Sequence, residues 1–398
     1  MTIEIHSVAD LAPDEREQLF DRTSNITEIS ARVTDIINRV TTEGDVALRD
    51  LTEEFDECTI GAIDATEDAE RAYDELDLSL QTTIDRAIQT ITDRYEPRAS
   101  DSTSLRRIPL SRVGVCIDPY QQGSATQLLH QTLPAQAAGV DHIAVALPPQ
   151  TESQELALGV AHRLEVDRIY RLSRAQAVAA LAYGTESVFA VQKIVGGTNQ
   201  WTAAAKDQVR DDAAIDGAYT APACVIIANE GTTIDHIVGS LSIHGKYTKA
   251  PLVVLSPDEA QLKTVQDRLG CAESDSHGEY EQVHSRLQQA HSGLFSVRSL
   301  SEAVGFVNEY SPTVASVQTD ENATIERRLK NTGHIVRGPI TAHKIIETGP
   351  NIGPTQGAAT TESPLSAHSF LKNQSVQSDT PDHEDIYTDF VSADNVQD

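Results

Sequence analysis

The residue spacing offers two kinds of chemistry, anion or dinucleotide binding and metal ligation. Lys193 to Val195 reads as a short buried strand, and Gly196-Gly197 opens a turn into a helix carrying Ala203 to Lys206. A strand, glycine turn and helix can present backbone N–H groups to an anionic or dinucleotide ligand, although a glycine pair also serves plain structural turns. His244 ends a helical stretch from Ile234 to Ile243 and reads as a hydrogen-bonded structural histidine or as a ligand. His343 and Glu347, four apart, would share one helix face and with His244 could make a metal site; the same spacing is common on solvated faces. Cys58, Cys116, Cys224 and Cys271 have no C-x-x-C spacing and read as buried small hydrophobes, not a zinc clip or a disulfide framework.

The elements that must hold these residues can be read in outline. An alanine-dense helix runs from Ala175 to Tyr183, with Gly184 placed to end it in a left-handed conformation. Residues from about 10 to 95 read as helices, since Ile36, Ile37 and Val40, and then Ile84, Ile88 and Ile91, recur at helical spacing. From Arg112 the pattern turns to short β-branched runs alternating with helical stretches. Val113 to Ile117, His142 to Ala146, Arg168 to Leu172 and Lys193 to Val195 form one series. Cys224 to Ala228, Leu252 to Leu255, Phe295 to Val297, Val314 to Gln318 and His334 to Val336 form another. Such alternation predicts an α/β protein with parallel sheets, crossover helices and two α/β domains. After Phe370 the chain is polar and acidic without apolar periodicity, and a flexible or loosely packed tail is expected.

Charge narrows the partners. The 398 residues carry 31 basic and 60 acidic side chains, a formal charge of −29. Spread along the whole chain, this excess suits a surface in a salty cytoplasm, where counterions screen self-repulsion; an ordinary acidic protein is the plainer alternative. With no basic stripe to neutralise phosphates, nucleic acid is not an expected partner. The first residues lack a basic n-region and an apolar h-region, and no run approaches bilayer length, so a soluble, reduced, cytoplasmic protein without a membrane partner is expected.

Several stretches resemble the histidinol dehydrogenase family. The run from Arg174, RAQAVAALAYGTE, followed by KIVGGTN and AAAK, is similar to the family's AQAxAALAYGTE helix, KIVGPGN turn and AAAK helix. Ile36 to Phe55 resembles the N-terminal helix and GDxAL signature. RVGVCIDP and LPAQAAGVDHIAVALPP resemble the first strand, helix and second strand, with Pro134, Gln136 and Gly139 in place. Gly349-Pro350-Asn351, Thr355 and SPLSAHSFLK look like the GPN, PT and SPLS-FLK blocks. The resemblance implies two Rossmann-like domains in an aldehyde-dehydrogenase-like arrangement. Residues 1–112 would be the helical N-terminal part of domain 1, 113–220 an inserted domain 2, 221–367 the rest of domain 1, and 368–398 an acidic tail. The helical N-terminus would thereby join the residues after Ala221.

The resemblance also implies NAD-dependent oxidation of histidinol, with zinc polarising the substrate and a Glu-His pair moving protons. Residue by residue, little of that chemistry carries over. The QxxH zinc pair reads Leu241-Ser242-Ile243-His244, so only His244 is retained, and the aspartate four before GPN is Ile345, in a local register that a nearby deletion leaves open. The PEH position reads Pro312-Thr313-Val314, the histidine after GPN is Ile352, and GPSE reads Thr220-Ala221-Pro222-Ala223. The resemblance implies C-terminal helices that complete a partner's site; these are expected to be absent here, with His383 in the acidic tail a poor substitute for their zinc histidine. For the cofactor, the family's glutamine and asparagine match Gln176 and Asn199, which read as nucleotide contacts or as turn caps. Its tyrosine is Cys116, and the glycine-rich loop becomes Asp118 to Thr126, whose Asp118 would repel a pyrophosphate.

The expectation is a histidinol dehydrogenase-like protein that has lost zinc-dependent catalysis and binds a small-molecule or nucleotide ligand, or a partner. Zinc is not expected, NAD is expected to bind weakly, and any homodimer should be weaker than the family's. The alternatives are an oxidoreductase using NAD through Gln176 and Asn199 without zinc, and an authentic histidinol dehydrogenase.

Overall fold

The computed structural model describes residues 3–22, 27–95, 105–118, 123–149, 154–217, 222–247, 250–270, 279–348 and 353–376. Its strands are β1 (Ile5–Ser7), β2 (Leu105–Pro109), β3 (Arg112–Cys116), β4 (His142–Ala146), β5 (Arg168–Tyr170), β6 (Lys193–Gly196), β7 (Ala214–Ile215), β8 (Cys224–Ala228), β9 (Leu252–Ser256), β10 (Gly293–Ser296), β11 (Val314–Gln318), β12 (His334–Arg337) and β13 (Leu371–Ser375). The sheets run β5-β4-β3-β6-β7, β1-β10-β9-β8-β11-β12 and β13-β2. The two larger sheets are parallel throughout. This is the α/β architecture that the alternating pattern predicts.

Parallel strands are covered on both faces, which is why the central ones read as continuous apolar runs. In β8, β9 and β11 every residue is buried. Successive side chains still go to opposite faces. Cys224, Ile226, Leu252, Val254 and Val314 enter one core, whereas Val225, Ile227, Val253, Leu255 and Val317 enter the other. In the first sheet Val113, Val115, Ile143 and Val145 pack on one face and Cys116, Ala144 and Ala146 on the other.

The N-terminal segments divide between the two layers. β1, Val8 and Leu19 do join the second sheet and its core. Helices Thr27–Glu43 and Asp45–Asp56 instead lay Val33, Ile36, Val40, Leu48 and Leu51 on one face of the first sheet's layer, and Thr66–Glu75 and Leu78–Tyr95 lay Ala69, Ala72, Ile84 and Ile91 on the other. Amphipathic stripes bury against whichever layer the chain meets, and here a polar clasp fixes that choice. The Asp45 carboxylate accepts hydrogen bonds from Thr185 Oγ1 (2.7 Å) and from the Ser187 hydroxyl and amide, while Glu186 accepts the Asp45 amide at 2.8 Å. Burial alone would raise the Asp45 pKa, but bonds from Ser187 and Thr185 together with the Arg49 charge hold it below the usual carboxylate range. Gly44 sits at φ +58°, where a side chain would be strained, and a Cβ there would displace the Glu186 carboxylate from the clasp.

Two local expectations are corrected. Leu371–Ser375 is no loose tail; its backbone pairs antiparallel with β2 from Leu371↔Pro109 to Ser375↔Leu105. Its side chains are mostly exposed, so an edge ribbon of this kind leaves no apolar pattern to read. Gly184 ends its helix at φ +79° and ψ 162°, an extended glycine conformation and not the left-handed helical one. The remainder of the acidic tail, with His383, lies outside the described residues. No helix among the described residues is long and apolar enough to cross a membrane.

Candidate functional site

The glycine turn forms where the sequence places it. β6 ends at Gly196 (φ +81°), Gly197 follows at φ +67°, and the helix Gln200–Val209 starts behind an Asn199 cap. Asn199 Oδ1 accepts the amides of Trp201 and Thr202, each at 3.0 Å, and its Nδ2 donates to Thr202 Oγ1 at 2.8 Å. That is N-cap geometry, satisfying helix donors that would otherwise be orphaned. A Cβ on Gly196 would collide with the Gln131 carboxamide and the Cys116 carbonyl, so glycine is required by close approach as well as by φ.

Behind the turn lies a buried ion pair. Lys206, fully buried, pairs with Asp216 and donates to the Gly196 carbonyl at 3.0 Å, while Asp216 accepts the Gly196 amide at 2.9 Å. Lysine and carboxylate together hold both ends of one glycine residue. Buried charges persist only when paired and hydrogen-bonded in this way. Neither residue stood out as functional in the sequence; the lysine that closes the AAAK run was the available signal. Cys116, beside this pair, is buried and its thiol is pushed up to about 12 by burial.

Gln176 does not share partners with Asn199. It is wholly buried, its Nε2 reaching Asp56 Oδ2 at 3.3 Å and Ser173 Oγ at 3.4 Å. Ser173 and Arg174 also bind Asp56, whose pKa burial raises against those contacts. Gln176 therefore anchors the helix Arg174–Tyr183 to the end of Asp45–Asp56, and Asn199 caps its own helix; both have structural occupations.

The residues that the resemblance matches to the family's zinc and proton-transfer positions lie about the second sheet. Leu241, Val314 and Ile345 are at most 1 % exposed and belong to one apolar core. Thr313 is buried and spends its hydroxyl on the Pro354 carbonyl at 2.8 Å. His244 is fully buried with Nε2 at 3.5 Å from the Pro222 carbonyl. Burial pushes its pKa down to about 4, aided by Arg286 and opposed by the Pro222 contact, which leaves the imidazole neutral near pH 7. Zinc needs several convergent nitrogen, oxygen or sulfur donors. Leu241, Val314 and Ile345 offer no donor and the Thr313 hydroxyl is committed, so with His244 these residues do not fit that need.

His244 and His343 differ in burial. His343 is exposed on the helix Ala342–Thr348, whereas Ile345 of that helix enters the core with Leu241. Among the described residues no three His, Cys, Asp or Glu side chains gather as a metal site. The Glu347 side chain, Ile352, Gly349-Pro350-Asn351, Thr220-Ala221, Pro119 to Gln122 and Cys271 lie outside the described residues. Cys224 is buried as expected, while Cys58 is only half-buried. A cleft of about 740 Å³ is lined by Lys193, Arg210, Asp216, Thr355, Gln356 and Glu362 among others.

Both larger sheets follow one winding. Taken in chain order, β3 to β7 and β8 to β12 each lie as third, second, first, fourth, fifth, with β1 added beyond β10. That winding, with a glycine turn at the carboxyl end of β6, makes this a doubly wound α/β protein of Rossmann-like class. The family model for histidinol dehydrogenase matches residues 20–392. A histidinol dehydrogenase of Natronomonas pharaonis is 36% identical over 388 residues, covering 94% of this chain and 91% of its own length. One from Halobacterium salinarum is 33% identical over 389 residues with the same shares, 94% and 91%. A crystal structure of histidinol dehydrogenase from Elizabethkingia anophelis superposes at TM-score 0.86 and 19% identity, covering 100% of this chain and 95% of that one, a likeness of fold. The chain belongs to the histidinol dehydrogenase family.

Proposed function

We propose that this chain is a histidinol dehydrogenase-family protein that binds a small-molecule or nucleotide ligand and does not carry out zinc-dependent histidinol oxidation. One observation carries the reading: Leu241, Val314 and Ile345, at the family's zinc and proton-transfer positions, are buried in a single apolar core. A divalent ion there would lose its hydration without charges to replace it. NAD is a weak ligand on this reading, since Gln176 and Asn199 are engaged in holding helices.

Authentic histidinol dehydrogenase activity is the second reading. The relatives at 36% and 33% identity bear that name, and by the comparisons alone it stands better than the first. It requires donors from residues outside those described, or from a second copy. The two readings part on one preparation, purified in molar potassium chloride and assayed for bound zinc and for NADH formed from histidinol. The first expects neither; zinc near one per chain together with histidinol-dependent NADH would establish the second.

A further inference from the structure

Doubly wound sheets bind their ligands beyond the carboxyl ends of the strands, where the winding reverses. In the first sheet that reversal falls between β3 and β6. β3 leads into Ile117 and Asp118, and β6 leads into Gly196, Gly197 and Thr198. Asp118 is 1 % exposed, and its Oδ2 accepts the Thr198 amide at 3.1 Å and the Thr198 hydroxyl at 2.9 Å. The Gly196 amide goes to Asp216, and the Trp201 and Thr202 amides go to Asn199. Four donors that such a turn can offer a phosphate, the amides of Gly196, Thr198, Trp201 and Thr202, are thus taken by side chains of the chain itself.

Polar capacity is left over beside them. On the helix Ser124–Ala138, Gln127 accepts the Asp118 amide through Oε1 at 3.3 Å, while its buried Nε2 has no hydrogen-bond partner among the described residues. Gln131, 1 % exposed and packed against Gly196, has a partnerless Oε1. A buried polar atom without a partner is costly and calls for an explanation. Gln127 Nε2 thus keeps a free donor on a side chain that already touches the Asp118 backbone.

We infer that Asp118 is an internal occupant of this phosphate-binding turn, a specificity-determining residue whose carboxylate excludes diphosphates, dinucleotides included, from the crevice between β3 and β6. The inference deepens the reading of the chain as a weak nucleotide binder and rests on it. It differs from simple repulsion, because the carboxylate holds the same hydrogen bonds a phosphate would need.

Calorimetric titration of the full chain with NAD and with inorganic pyrophosphate, in constant molar potassium chloride, tests it. Asp118→Ala removes both charge and acceptor and should bind each ligand at least about tenfold more tightly than the unmodified chain. Asp118→Asn keeps the shape and an accepting oxygen, and should recover only part of that gain. A cooperatively melting Asp118→Ala that binds no more tightly overturns the inference and leaves the weak-binder reading in place. Tight binding of NAD by the unmodified chain sinks both. Should Asp118→Ala fail to fold, hydrogen exchange of the unmodified chain decides: the Thr198 amide should exchange slowly and be unaltered by millimolar pyrophosphate, and its further protection by pyrophosphate would overturn the inference.

Discussion

His244 is buried near the C-terminal end of the helix Ile234–Tyr247, against the Pro222 carbonyl and in the field of Arg286. Its pKa falls from an ordinary 6.5 to about 4 when the chain folds. For a base depressed by folding, the unfolded chain takes up the proton first as pH drops. Stability is therefore intact above 6.5 and lost on acidification until the folded protein is itself protonated near 4. The full shift corresponds to roughly 3 kcal/mol, of which about 2 kcal/mol should already be lost near pH 5. The group is wholly buried, so solvent screening removes little of this. Replacing His244 with Gln keeps a donor for the Pro222 carbonyl and removes the titration. Urea denaturation of both proteins in molar potassium chloride, near pH 7.5 and near pH 5, isolates the histidine, because carboxylate contributions cancel in the difference. The unmodified chain should lose about 2 kcal/mol more than His244→Gln over that interval. Equal losses in the two proteins would refute the argument and show that the imidazole finds water or a counter-charge in solution.

Returning glutamine at position 241 should not rebuild a metal site. Leu241→Gln places a carboxamide in the core with Val314 and Ile345, and should cost roughly 2–4 kcal/mol in urea unfolding without adding zinc on metal analysis; a stable variant holding zinc would show that donors converge there after all. Salt dependence follows from the charge of −29. Screening length grows from about 3 Å in molar salt to about 30 Å at 0.01 M, so the melting temperature should fall on dilution of potassium chloride, and a constant value would contradict adaptation to high salt.

How much of this was legible in sequence depended on burial. The central strands announced themselves because both faces are covered, and β4, β8 and β11 lie within the boundaries their β-branched runs suggest. The edges did not. β1, β7 and the β2–β13 ribbon are short or solvent-facing, and their backbone pairing does not require apolar side chains. At the site, the want of donors on Leu241, Val314 and Ile345 was readable, since an aliphatic side chain cannot ligate wherever it points. What Asn199 and Gln176 do was not, because an amide that caps a helix and one that touches a cofactor are the same residue in a sequence. Asp118 was readable as a charge and not as the partner of Thr198, which lies 80 residues further along.

The clasp joining Gly44 and Asp45 to Thr185, Glu186 and Ser187 bears on what descent preserves. It links segments 140 residues apart, and each member acts through geometry with no ligand involved. The Lys206–Asp216 hold on Gly196 is of the same kind. Gly44, Asp45, Thr185, Glu186 and Lys206 all fall in stretches by which this chain resembles the family, and they serve the folded scaffold whatever the site does. Such joints do not depend on which groups touch a substrate, so kinship measured along the backbone does not by itself report the reaction at the site.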